Sequence, residues 1–415
     1  MTRQIPLLSM VLAASLAAAP AFANPARDRA LLAQSRGEMR AAQIEWRNAV
    51  RAEPQQGALR AGLAEASIEI GDMDTAEREA RAALERGYDR AAGTALLLRI
   101  LLAQGRFQDV LAQFPEPGER SPPAVAAQLF AGRALAQLAT NDREASRASV
   151  ARAEQLDPSS VETAISAVTL LIVEGNRADA EARLDRVLAT QPRSRDALLA
   201  KAQMQLDRDD AAGALESFGR VITATPGHVP ARLRRAELLL RLNEIERARV
   251  DIDGALAAMP NNARAAYLRA MQLTMQRNWR AADGVMQQIG PQLTNFPDGL
   301  LLQAIAKRGL GQNAQAEDAA RRHVARFPED PRGARLLATM EMDAGRPRDA
   351  AAVLARAAIP TTRDVELLEM LGRAYAAAGL RAEAAQTLER AAAVAPNDAA
   401  LLTRLAVARL ALGDV

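Results

Sequence analysis

The sequence predicts an all-α fold of short helical hairpins stacked in tandem, and three observations carry that reading. Its 415 residues are 49% apolar yet only 3% aromatic, and 25% are charged. Such text, rich in Ala, Leu and Arg, favours helix around a core of small and aliphatic side chains. Proline is excluded from helix interiors because it lacks an N–H and clashes with the preceding turn. Here it stands at Pro158, Pro192, Pro226 and Pro260, 34 residues apart. Gly71 and Gly105, Gly345 and Gly379, and Ala180, Ala214 and Ala248 keep the same interval. A period of this size marks units that bury their apolar faces only by stacking on their neighbours.

The N-terminus is different text. Residues 1–23 read as a secretory signal peptide: Arg3, an apolar stretch from Ile5 to Ala18, then the small residues Ala21 and Ala23 before a cut. Cleavage after Ala23 leaves Asn24 first, and the apolar run falls short of the ~20 residues that a membrane span needs. No later segment is long and apolar enough to cross a bilayer, so no transmembrane span is expected. The chain has no cysteine, which excludes disulfides, thiolate metal sites and a lipid anchor on sulfur. The expected location is the periplasm.

Inside a unit the order is helix, Gly/Asn/Asp turn, second helix, break. "LLIVEGNRADAEARLDRVLATQP" shows it whole, with Gly175 at the turn, Ala180 early in the second helix and Pro192 at the break. Glycine at the turn supplies positive φ, and the small Ala180 lets two helices approach closely. Leu184, Phe218 and Ile252, four residues after their alanines, fill the space toward the next unit. Two passages leave the schedule. "FPEPGERSPP" is two residues too long, and "NWRAADGVMQQIGPQLTNFPDG" loosens the end of the eighth unit. The domain reading is therefore N-terminal units over 24–113, a proline-rich linker or bend over 114–123, and the main array over 124–415. "NDAALLTRLAVARLALGDV" reads as one further first helix whose apolar side lacks a second helix to cover it.

From "LLAQSRGEMRAAQIEWRNAVRAEPQ" to "LGRAYAAAGLRAEAAQTLERAAAVAPND" these units resemble the tetratricopeptide repeat, about eleven of them plus the terminal helix. The resemblance implies a right-handed α-solenoid whose first helices line a concave groove for a protein or peptide partner. In that phase Leu199, Leu206, Leu233, Leu240, Tyr267, Met271 and Met275 fall on the lining, continued by Ile165, Thr169 and Ile172. The competing reading of each is a core residue at helical spacing. The Lys and Asn positions of the family's peptide-carboxylate clamp carry Leu, Glu, Gln or Met, which argues against binding of chaperone tails.

Chemistry-bearing motifs are lacking. His228 and His323, the two histidines, have no second ligand at metal-binding spacing and read as boundary or surface residues. No glycine loop, nucleophile elbow or dinucleotide fingerprint occurs, so neither catalysis, metal nor cofactor is expected. Net charge is +3 and comes almost wholly from arginine, with Lys201 and Lys307 the only lysines. Arg234, Arg235, Arg241, Arg321 and Arg322 form a candidate patch for an anionic ligand such as an acidic polysaccharide. Nucleic acid is not expected of an exported chain without interleaved aromatics.

The order of "LLAQSRGEMRAAQIEWRNAVRAEP", "GDMDTAEREARAALERGYDR", "LLAQGRFQDVLAQFP" and "AAYLRAMQLTMQRNW" is similar to exosortase/PEP-CTERM-associated tetratricopeptide proteins. That resemblance implies scaffolding in an exopolysaccharide system. Two alternatives stand beside it: the periplasmic repeat arm of a cellulose or other polysaccharide export apparatus, and a periplasmic chaperone for outer-membrane clients. The lipobox cysteine of the first family is missing.

Overall fold

A computed structural model describes residues 24–118 and 121–413. The signal-peptide reading of residues 1–23 lies outside them. The described residues form 23 α-helices and one 3₁₀ helix, with no strand. None of these helices is long and apolar enough to cross a membrane.

The chain packs as two compact units that divide between Asn176 and Arg177. The first contains α1 (Pro25–Ser35), α2 (Met39–Ala52), α3 (Gly57–Glu69), α4 (Met73–Glu85), α5 (Arg90–Ala103), α6 (Phe107–Gln113), α7 (Pro123–Ala139), α8 (Arg143–Leu156) and α9 (Val161–Val173). The second opens with α10 (Arg177–Thr190), α11 (Arg195–Leu206), α12 (Ala211–Ala224), α13 (Val229–Arg241), α14 (Ile245–Ala258), α15 (Ala263–Met275) and α16 (Trp279–Ile289). After the 3₁₀ segment Gly290–Asn295 it continues through α17 (Gly299–Gly309), α18 (Asn313–Arg326), α19 (Pro331–Asp343), α20 (Pro347–Ala357), α21 (Val365–Ala377), α22 (Arg381–Val394) and α23 (Ala399–Leu412). Each unit is a stack in which a helix packs on the helices next to it in sequence.

Local chemistry explains where helices start and stop. Asp72, Asp142, Ser160, Ser194, Asp210, Asn262, Asp330, Asp364 and Asp398 are N-caps whose side chains accept a hydrogen bond from the first helical turn, satisfying donors that have no intrahelical partner. Pro158, Pro192, Pro226 and Pro260 each lie two residues past a helix end. Between the paired helices of the sequence period stands a turn residue at positive φ: Gly37, Gly71 and Gly105, then Asn141, Gly175, Asp209, Asn243, Arg277, Gly311, Gly345 and Gly379. From Asn141 onward these stand 34 residues apart, and the two-residue lag after Gly105 falls in the proline-rich passage. Ala180, Ala214, Ala248, Ala282, Ala316 and Ala350 are fully buried, as expected of the closest helix approaches.

Two passages leave the 34-residue schedule. The helices on either side of the proline-rich one are in contact. Arg133 of α7 donates to the Phe114 carbonyl at 2.7 Å, and Gly132 of α7 lies against the Leu98 side chain of α5, so the helices on either side form one body. The two compact units divide in the turn after α9. In the eighth hairpin the loosened end is the 3₁₀ segment, entered through Gly290 at φ 46°. It carries Leu293 into the core and ends beside Phe296, whose ring stacks on Tyr267 with centroids 4.4 Å apart. On the terminal helix α23, Leu401 and Leu405 are buried whereas Leu402, Val407, Leu410 and Leu412 are exposed.

Candidate functional site

The second unit contains a cleft of about 370 Å³ lined by Tyr267, Met271, Leu301, Leu302, Ile305 and Leu336, with Asp298 and Arg332 at one end. Its walls come from the first helices of three successive hairpins, α15, α17 and α19. Leu301 and Ile305 stand one 34-residue period after Tyr267 and Met271, and Leu336 one period after Leu302. Repetition therefore sets equivalent side chains in rows across neighbouring helices. Aliphatic, thioether and aromatic groups in such rows offer a non-directional surface for a partner's apolar side chains.

The cleft's polar end is a network. The Arg332 guanidinium donates to both oxygens of Asp298, at 2.7 and 3.1 Å. It also donates to Asp330, at 3.0 and 3.1 Å. Asp330 caps α19 by accepting from the Arg332 amide at 3.0 Å and lies 2.9 Å from Nε2 of His323. Burial alone would raise the Asp330 carboxyl, but hydrogen bonds from Arg332 and His323 overcome it and hold the group down at about 2. The Tyr267 phenol is pushed up to about 12, first by burial and then by the negative charges of Asp298 and Glu237. Behind the network a second pocket, of about 430 Å³, is bounded by Pro297, Phe327, Pro328, Glu329 and Arg326, and shares Asp298 and Arg332 with the cleft.

The structure divides the residues expected on the groove. Tyr267 and Met271 meet in the cleft. Leu233 and Leu240 belong to the hydrophobic core, at 5% and 3% exposure, and do not line this cleft. Their helix α13 turns them against neighbours in α14 and α15, so their spacing reports packing. Tyr267 is itself only 8% exposed and stacked, a wall of the cleft more than a projecting contact. Leu199 and Leu206 are half-buried, and Met275 is exposed at the end of α15. The far side of the cleft was missed, although adding one period to Tyr267 and Met271 points to it.

The arginine patch is not a store of uncommitted charge. Arg235 forms a two-pronged bond to the fully buried Asp251, both contacts at 2.7 Å, and Arg232 joins it at 3.3 Å. Arg234 donates to Gln203 at 2.8 Å. Arg321 pairs with Glu317 and Glu341, and Arg322 lies 3.9 Å from Asp318. Of the five, Arg235 is half-buried and Arg234, Arg241, Arg321 and Arg322 are exposed. Acids one helical turn away or on the adjoining helix answer most of this charge, which is why the arginines crowd together without repelling. The histidines, too, are more committed than their spacing suggested. His228 caps α13, its Nδ1 accepting from the Ala231 amide at 3.1 Å, and His323 is fully buried.

Two family profiles, both described as tetratricopeptide repeat, match the chain: one at residues 205–271, the other at 166–229 and 301–364. No curated protein matches it. Among solved structures, a tetratricopeptide repeat protein from Parabacteroides merdae aligns at 19% identity over 60% of this chain and 98% of its own, with TM-score 0.47. Pseudomonas aeruginosa pilF aligns at 16% identity over 51% and 97%, with TM-score 0.46. Yeast Tom70 aligns at 12% identity over 86% and 89%, with TM-score 0.39. Residues 166–271 and 301–364 of this chain thus match the profiles of the tetratricopeptide repeat.

Proposed function

We propose that this chain is an exported, non-catalytic scaffold that holds a segment of a protein partner in the cleft between α15, α17 and α19. The observation that carries the reading is the cleft itself, an apolar surface built in rows by the repeat and closed at one end by the Asp298–Arg332 pair. A partner's apolar side chains gain burial there, and its backbone polar groups remain at the open rim. Export rests on the leader at residues 1–23. The system it serves is read from the resemblance to exosortase/PEP-CTERM-associated repeats, an exopolysaccharide-producing cell envelope, where an acidic polysaccharide is a further ligand for exposed arginine.

A photo-crosslinking residue in place of Met271 tests the central claim. Irradiation in cells should link the chain to a discrete protein, and Ile305→Asp should abolish the link without lowering the melting temperature. Absence of any crosslinked protein from Met271 overturns the cleft as a partner site. Recovery of an N-terminus at Asn24 from the periplasmic fraction tests export.

A further inference from the structure

We infer that the pocket behind the Asp298–Arg332 pair receives a lysine or arginine side chain of the same protein segment whose apolar side chain fills the cleft. This rests on the cleft being the partner site. The two spaces adjoin, because Asp298 and Arg332 line both. A segment lying across the pair therefore places neighbouring side chains one on each side of it.

The charge of the second pocket selects the chemistry. Its lining carries three carboxylates, Asp298, Glu329 and Asp330, against two guanidiniums, Arg326 and Arg332. Arg332 is spent on Asp298 and Asp330 together. Arg326 donates to the Thr294 carbonyl at 2.6 Å and leans over the Phe327 ring, 5.3 Å from its centroid. Exposed Glu329 has no ion-pair partner among the described residues and supplies the surplus negative charge. The field reaches the cleft: the same Asp298, after burial, helps to raise the Tyr267 phenol. A cation entering here meets Glu329, which favours it. An anion meets a carboxylate surplus.

Fluorescein-labelled dodecapeptides, alike except for a lysine or a glutamate after two leucines, measure this in titrations of the full chain. The lysine peptide should bind more tightly by about fivefold, the scale of one exposed ion pair. Glu329→Gln should erase the difference and Glu329→Lys should reverse it, both with unchanged melting. Ile305→Asp should weaken both peptides alike. Equal affinity for the two peptides, with Ile305→Asp still weakening both, overturns the cation pocket and leaves the cleft standing. Binding that ignores Ile305→Asp, or no binding by either peptide, overturns the cleft reading and this inference with it.

Discussion

Gly333 of α19 lies flat against the imidazole of His323 in α18: a Cβ there would sit 3.0 Å from Nε2 and nearer still to Cδ2. The missing side chain at 333 is what lets a fully buried histidine reach the Asp330 cap. Gly333→Ala should therefore destabilise the chain by about 2 kcal/mol, the range of overpacking in a closed core. Chemical denaturation measures it. In a double-mutant cycle His323→Ala should recover part of the loss, and strict additivity would show that the two residues do not oppose each other.

Arg277 occupies a turn position that its equivalents fill with Gly, Asn or Asp, and it does so at φ 58°. A branched backbone site in that region costs roughly 1–2 kcal/mol. Arg277→Gly should raise stability by about 1 kcal/mol, the remainder being offset by the greater freedom of glycine in the unfolded chain. A lowered denaturation midpoint would refute the strain at this turn.

Asp330 makes stability depend on acid. Its folded value, about 2, lies below the 3.8 of an unperturbed carboxyl. A depressed carboxyl contributes stability that is present above the unfolded value and lost as pH falls through the folded one. The loss should thus develop between about pH 4 and pH 2, and after solvent screening amount to on the order of 1 kcal/mol. Asp330→Asn should lower stability at neutral pH and flatten the profile across that window. Unchanged steepness in the variant would assign the acid loss to other carboxylates.

Asp251 is fully buried between Arg232 and Arg235. Removing it leaves two guanidiniums partly desolvated without a counter-charge, so Asp251→Ala should cost about 3 kcal/mol or more. Restoring compactness by adding Arg235→Met would confirm that the uncompensated charge is the cause.

Within the cleft, the two walls separate stability from binding. Tyr267 is buried and stacked on Phe296, so Tyr267→Ala should cost about 3 kcal/mol. Met271 and Ile305 are half-buried, and Met271→Asp should impair capture with little change in melting. The sequence reading grouped Tyr267 with Met271 as equal contacts. Period and hydrophobicity are identical for a residue that faces a neighbour and one that faces a cleft, so phase alone could not part them.

The helix order, the buried alanines and the breaks at Pro192, Pro226 and Pro260 were legible because each depends on a local rule repeated many times. What escaped were one-off arrangements. The division after Asn176 leaves no mark in composition, and the proline-rich passage that does leave one is bridged by Arg133. The role of Phe296 depends on an irregular 3₁₀ turn that no period describes. The arginine cluster looked like an open basic surface because its acids, Asp251 and Glu341, lie 16 and 20 residues from Arg235 and Arg321.

The positive-φ turn residues recur every 34 positions from Asn141 to Gly379, alike in backbone and interchangeable in phase. A cassette cut from one of these residues to the next begins and ends in the same conformation, so a copy spliced in at any of them meets a matching join. Within the second unit the chain length is therefore a free variable for a gene that duplicates: each added cassette displaces everything downstream by one step without asking any turn to change its shape.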